Sequence, residues 1–79
     1  APDAKVMLAA LAAAQARALE KSTWVGKAFP ERARAMHLGE AEHRPIHGQA
    51  TPEQAESLAD EGVPIAPLPL PVVPPDEAN

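Results

Sequence analysis

The stretch PDAKVMLAALAAAQARALEKS (residues 2–22) is the strongest helix signal in the chain. Pro2 and Asp3 suit a helix start, because proline has a fixed φ and an acidic side chain is stabilised at the positive end of the helix dipole. Most of the residues that follow are good helix formers, and Lys21 suits the last turn. The pattern predicts a long N-terminal helix over residues 3–21.

This helix is apolar on several sides, because Val6, Met7 and Leu8 follow one another and Leu11 continues their surface. A helix of this kind needs cover on several sides. The chain has 79 residues, two aromatic side chains and no cysteine. A small core of this kind leaves a thin stability margin that no disulfide can raise. We therefore expect a homo-oligomer in which a second copy covers part of the helix.

Two shorter helices are predicted downstream. Pro30 fits the first turn of a helix over residues 30–38, with Gly39 just past its end. An alternative is a helix that begins at Ser22 or Thr23 and is kinked at Pro30. In TPEQAESLADEGV (residues 51–63), Thr51 and Gln54 have the spacing of a capping box, which predicts a helix over residues 52–61.

Gly62 fits the position after this third helix, and Val63 is then placed to contact Leu58 in a Schellman motif. The tail over residues 63–75 is rich in proline, which forbids helix and favours an extended polyproline strap. We expect the strap to pack across the helices of its own or a neighbouring subunit. A ligand for a proline-recognition domain is the alternative. The predicted fold class is all-α: one long helix, two shorter helices and an extended C-terminal strap.

The stretch MHLGEAEHRPIHGQATPEQ (residues 36–54) contains all three histidines, His37, His43 and His47. Histidine pairs that bind zinc at four-residue spacing lie on a helix, and Pro45 disfavours a helix here. We therefore predict no metal site, although Glu40 and Glu42 could supply oxygen ligands. The sequence has no Ser-His-Asp pattern, phosphate-binding glycine loop or dinucleotide fingerprint. We identify no catalytic residue, and the prediction leans against an enzyme.

The run ERARAMHLGEAEHRPIHGQATPEQAESLADEGVPIAPLPLP (residues 31–71) resembles the C-terminal half of a family of small bacterial proteins known as domain of unknown function 1178. The similarity covers about residues 24–71, including VGKAF at residues 25–29. The matching positions are His37, Gly39, Glu40, Arg44, Ile46, Gly48, Thr51, Glu61, Gly62 and the proline-rich segment 64–71. Members often have tyrosine where His47 stands, and they typically begin with a cysteine- and histidine-bearing segment that looks like a zinc ribbon.

The resemblance implies no activity, because the family has none assigned. It suggests that the chain is the C-terminal domain of a longer protein, and that His37, Glu40 and Arg44 are the best candidates for binding residues. The zinc-ribbon-like segment is absent from this sequence, so we expect no cofactor in this chain.

We predict an oligomerisation and interaction module that assembles through the N-terminal helix and the strap. The alternative is a metal- or substrate-binding enzyme site at a subunit interface, built on the same three residues. The net charge of −4 disfavours nucleic acid as a partner. No apolar run is long enough to span a membrane, and we expect a cytoplasmic protein.

Overall fold

A computed structural model of the chain describes residues 3–72, and the proline-rich residues 73–75 lie outside that range. The elements in chain order are α1 (Ala4–Ala18), β1 (Thr23–Gly26), α2 (Phe29–His37), β2 (Ile46–Gly48) and α3 (Pro52–Asp60). The all-α prediction is therefore wrong, because β1 and β2 pair as a two-stranded parallel sheet and the fold is mixed α/β.

The sheet joins two short strands that are far apart in the chain. Thr23 lies opposite Ile46 and Trp24 lies opposite His47, while Gly26 pairs with Gly48 after an irregular step in the ladder. Parallel strands need a crossover connection, and α2 lies in the segment that provides it. The strand at residues 23–26 also excludes the alternative of a helix that starts at Ser22 or Thr23.

Helix α2 ends at His37, one residue before the predicted end, and Gly39 follows it as predicted, with a φ of +77° and its amide donating to the Met36 carbonyl. The amide of Glu40 donates to the carbonyl of Ala35 at 2.8 Å, which completes a Schellman motif. The helix begins one residue earlier than predicted, at Phe29, so that Pro30 lies in its first turn and is buried.

The capping box of α3 is confirmed. The hydroxyl of Thr51 accepts from the Gln54 amide at 3.1 Å, and the Gln54 side chain accepts from the Thr51 amide at 2.9 Å. The predicted Schellman motif is also present, because the Val63 amide donates to the Leu58 carbonyl and Gly62 has a φ of +83°. Local hydrogen bonds thus set both ends of this helix.

The core consists of Ala33, Leu58 and Val63, with Phe29 and Ile65 packed against it. It joins α2, α3 and the first residues of the strap. Helix α1 contributes no buried residue. Within residues 3–72, no helix combines the length and apolarity needed to cross a membrane.

The strap lies against its own chain where the structure describes it, over residues 63–72. The Gln15 side-chain amide donates to the Leu70 carbonyl at 2.9 Å, and its oxygen accepts from the Leu70 amide at 3.0 Å. A single side chain thereby satisfies both backbone groups of Leu70, as a neighbouring strand would. This paired contact holds the strap to the C-terminal half of α1.

Candidate functional site

The sheet is closely packed at its carboxyl end, where Gly26 meets Gly48. A Cβ atom at Gly48 would lie 2.5 Å from the Gly26 carbonyl oxygen and 2.8 Å from the Phe29 Cβ. The amide of Gln49 donates to the same Gly26 oxygen at 2.9 Å. Only glycine leaves room for this approach, and the contact fixes β2 against the start of α2.

His47 is held in place by two neighbours. The Ser22 hydroxyl lies 2.8 Å from the imidazole Nδ1, and the Trp24 ring meets the imidazole edge-on with 5.6 Å between the ring centroids. A serine paired with a histidine has the residue types of a nucleophile and its base. However, Ser22 does not line the adjoining groove, and no carboxylate hydrogen-bonds this imidazole within residues 3–72. The pair therefore serves to orient His47.

An apolar groove of about 1130 Å³ lies between β2 and the strap. Trp24, Phe29, Met36 and Ile46 line one part of it, and strap residues 63–72 line another. Pockets that bind small molecules are mostly apolar, with a few polar groups that orient the ligand. This groove has that character, because its polar side chains are few and lie beside a largely hydrocarbon surface.

The predicted binding residues are only partly brought together. His37 and Arg44 both line the groove, whereas Glu40 does not. All three side chains are exposed, and no hydrogen bond or ion pair joins them within the described range. His43 and His47 also line the groove. No group of three metal-ligating side chains occurs in residues 3–72.

An ion pair between α2 and the end of α3 was not foreseen from the sequence. The Arg34 guanidinium donates two hydrogen bonds to the Glu61 carboxylate, each of 2.7 Å. The hydrogen bond from Arg34 lowers the pKa of Glu61, and the hydrogen bond to Glu61 raises the pKa of Arg34. Both side chains are more than a third exposed, so the pair fixes geometry more than it adds stability.

A family profile described as "Protein of unknown function (DUF1178)" matches residues 1–73. The match extends upstream of residues 24–71, where the sequence resemblance was recognised, and includes all of α1. No curated protein and no solved structure matches the chain.

Proposed function

Because the chain belongs to the DUF1178 family, whose function is uncharacterised, we propose a function from its own surface: it is an oligomerisation and interaction module. Helix α1 pairs with α1 of a second copy of the chain. An enzyme site built on His37, Glu40 and Arg44 gains no support, since no contact of hydrogen-bond length joins them within the described residues.

The observation behind this proposal is the exposure of α1. Its side chains of Val6, Met7, Leu8 and Leu11 are between 41% and 63% exposed. These four large apolar residues lie within two turns of one helix, and none of the 15 helical residues is buried. Exposed apolar groups that are contiguous in this way mark an interaction surface, whereas scattered ones do not.

A second copy fits this surface because of its composition. Between Lys5 and Arg17 the helix has no charged side chain, so an identical helix meets it without burying an unpaired charge. Alanine is the commonest residue of the helix, and its small side chain allows two backbones to approach closely. A two-fold dimer uses the same patch on both subunits, which is the usual symmetry of soluble homo-oligomers.

The expected dimer is weak. Met7, Leu8 and Leu11 share one face of the helix. Covering the exposed half of each side chain contributes roughly 1 kcal/mol, so the three from each copy contribute on the order of 6 kcal/mol. Loss of translational and rotational freedom costs at least about 4 kcal/mol. At this smallest cost the difference is about 2 kcal/mol, which corresponds to a dissociation constant of tens of millimolar, and burial of the alanine methyl groups moves it toward the millimolar range.

The strap supports this arrangement from within the same chain. The paired hydrogen bonds between Gln15 and Leu70 fix the C-terminal half of α1, while Val6 to Leu11 lie about one to two and a half turns from that anchor. An anchored helix loses less freedom on pairing than a loose one, which favours association. We also propose that the strap contributes to the assembly and that the protein is cytoplasmic, as the sequence analysis predicts.

Sedimentation equilibrium over a wide concentration range tests the proposal. The wild-type chain should show a reversible dimer, and Leu8→Glu should weaken association at least tenfold because it places a charge on the paired face. Leu38→Glu is the matched control, since Leu38 is 60% exposed against 56% for Leu8 but lies at the end of α2.

Circular dichroism should show that both variants retain the wild-type helix content. A wild-type chain that stays monomeric at every concentration would refute the proposal. Equal loss of association in the Leu38→Glu variant would also refute it, because the interface would then not be α1.

A further inference from the structure

We propose that the groove between β2 and the strap binds a small amphipathic anion, a carboxylate attached to an unbranched apolar chain. This inference concerns a different surface from the α1 interface and does not depend on self-association. It rests on the shape of the groove, on the charges of the side chains that line it, and on the fixed position of His47.

The charge of the groove is opposite to that of the chain. The sequence has 11 acidic residues against seven Lys and Arg, for a net charge of −4. Among residues 3–72, no aspartate or glutamate lines the groove, whereas Arg44 and the three histidines, His37, His43 and His47, do. An acidic protein with one cavity free of acidic side chains attracts anions to that cavity.

The apolar part of the groove favours a ligand with a hydrocarbon chain. Trp24, Phe29, Met36, Ile46 and the aliphatic strap residues offer hydrocarbon surface and few hydrogen-bonding groups. The volume of about 1130 Å³ lies slightly above the usual range for small-molecule sites, about 300–1,000 Å³. A flexible alkyl chain suits such a surface, because burial of its methylene groups requires no hydrogen-bond partner.

The polar part of the groove favours a ligand whose head group is a single carboxylate. Within the part of the chain that the structure describes, Arg44 is the only arginine in the lining, and no lysine accompanies it. A guanidinium pairs with a carboxylate through two parallel hydrogen bonds, so one arginine is sufficient for a single carboxylate. A phosphate or nucleotide would call for more cationic groups or a glycine-rich loop, and the described lining has neither.

His47 is already positioned for this role. The Ser22 hydroxyl occupies its Nδ1 and the Trp24 ring holds its edge, so the imidazole keeps one orientation at the groove. A polar group that is fixed before binding loses little freedom when a ligand arrives. Trp24 also lines the groove and is the only tryptophan of the chain, so its fluorescence reports on occupancy.

The test is a fluorescence titration of the full chain with decanoate, kept below its micelle concentration. Decan-1-ol is the matched neutral probe, because it has the same chain length and no charge. We expect saturable binding of decanoate, and at least about tenfold weaker binding of decan-1-ol, whose neutral hydroxyl cannot form the charged pair of two hydrogen bonds with the guanidinium.

Arg44→Gln should weaken decanoate binding about tenfold and leave decan-1-ol binding unchanged. Arg32→Gln is the control, because it removes the same charge from an exposed residue of α2 that does not line this groove. Repeating the titration in the Leu8→Glu variant separates ligand binding from self-association, since binding should be the same there.

Three results would overturn the proposal: no binding of decanoate, equal binding of the two probes, or equal effects of the two arginine substitutions. Vesicles of anionic phosphatidylglycerol form a further arm. A response to vesicles without a response to free decanoate would also overturn it, because the groove would then recognise a membrane surface.

Discussion

Gly48→Ala should destabilise the protein through a steric clash inside the sheet. The added Cβ would lie 2.5 Å from the Gly26 carbonyl oxygen and 2.8 Å from the Phe29 Cβ. The first of these atoms belongs to the backbone of the paired strand, so it cannot rotate away as the end of a long side chain would. Relief therefore requires β1 and β2 to separate.

The magnitude follows from the size of this overlap. Overpacking of a well-packed site costs typically ~1–3 kcal/mol, and two contacts this short favour the upper end. Replacing glycine by alanine recovers about 0.4–1 kcal/mol, because the unfolded chain loses conformational freedom. The net loss should be about 2 kcal/mol. A 79-residue domain has a free energy of unfolding of roughly 4–12 kcal/mol, so this is a large fraction.

Urea denaturation followed by Trp24 fluorescence measures the change, since Trp24 lies in β1 itself. Gly39→Ala is the matched control. Gly39 has a φ of +77° and no atom within 4 Å of its would-be Cβ, so that substitution costs only the left-handed backbone penalty, roughly 1–2 kcal/mol before the same entropic recovery. Gly48→Ala should alter the native emission spectrum as well as the midpoint, whereas Gly39→Ala should alter the midpoint alone.

The steric reasoning would be refuted by a Gly48→Ala protein with the wild-type midpoint and the wild-type native spectrum. It would also fail if Gly39→Ala changed the native emission as much as Gly48→Ala does, because the shift could then not be assigned to the sheet.

Two other contacts give further predictions. Gln15→Leu should lower the free energy of unfolding by ~1–3 kcal/mol and speed hydrogen exchange at the Leu70 amide, because both backbone groups of Leu70 lose their partner. Gln49→Leu, at an exposed side chain, should change neither quantity. If the Leu70 amide exchanged equally fast in the Gln15→Leu variant and the wild type, Gln15 would not be its partner. Glu61→Gln should destabilise the protein slightly at neutral pH, since the Arg34 pair lowers the pKa of Glu61. Because the pKa of Glu61 is lowered in the folded state, the ion pair stabilises the protein above the unfolded-state pKa, and this stabilisation is lost as pH falls through the folded-state pKa. The difference in stability between the variant and the wild type should therefore vanish in acid. A difference in urea midpoints that did not change with pH would contradict this reasoning.

The strands were missed because each is too short to show a pattern. β1 has four residues and β2 three, and they lie on either side of α2. The local evidence for β1 in the sequence is the high β-propensity of Thr23, Trp24 and Val25. An alternation of period two needs a longer run, and the parallel partner cannot be identified from local sequence.

The candidate site shows the same limit. Histidines and Arg44 stood out in the sequence as polar residues of one loop, but their common groove depends on where the strap lies. The strap follows helix α3, and its first residues are held in place by the hydrogen bond of Val63 to Leu58 and by the packing of Ile65 against the core. The residue types were visible in advance, whereas the hydrocarbon surface beside them came from segments distant in the chain.

The local structure can be predicted from the sequence alone: the capping box at Thr51 and Gln54, and the helix ends at Gly39 and Gly62. Each depends on hydrogen bonds between residues no more than five apart, so the nearby residues suffice to specify it. Contacts between distant segments become visible in the folded chain: the pairing of β1 with β2, the Arg34–Glu61 ion pair and the hydrogen bonds of Gln15 to Leu70, which are 55 residues apart. Such contacts depend on packing, which selects one partner among many chemically equivalent ones and therefore leaves little trace in the local sequence.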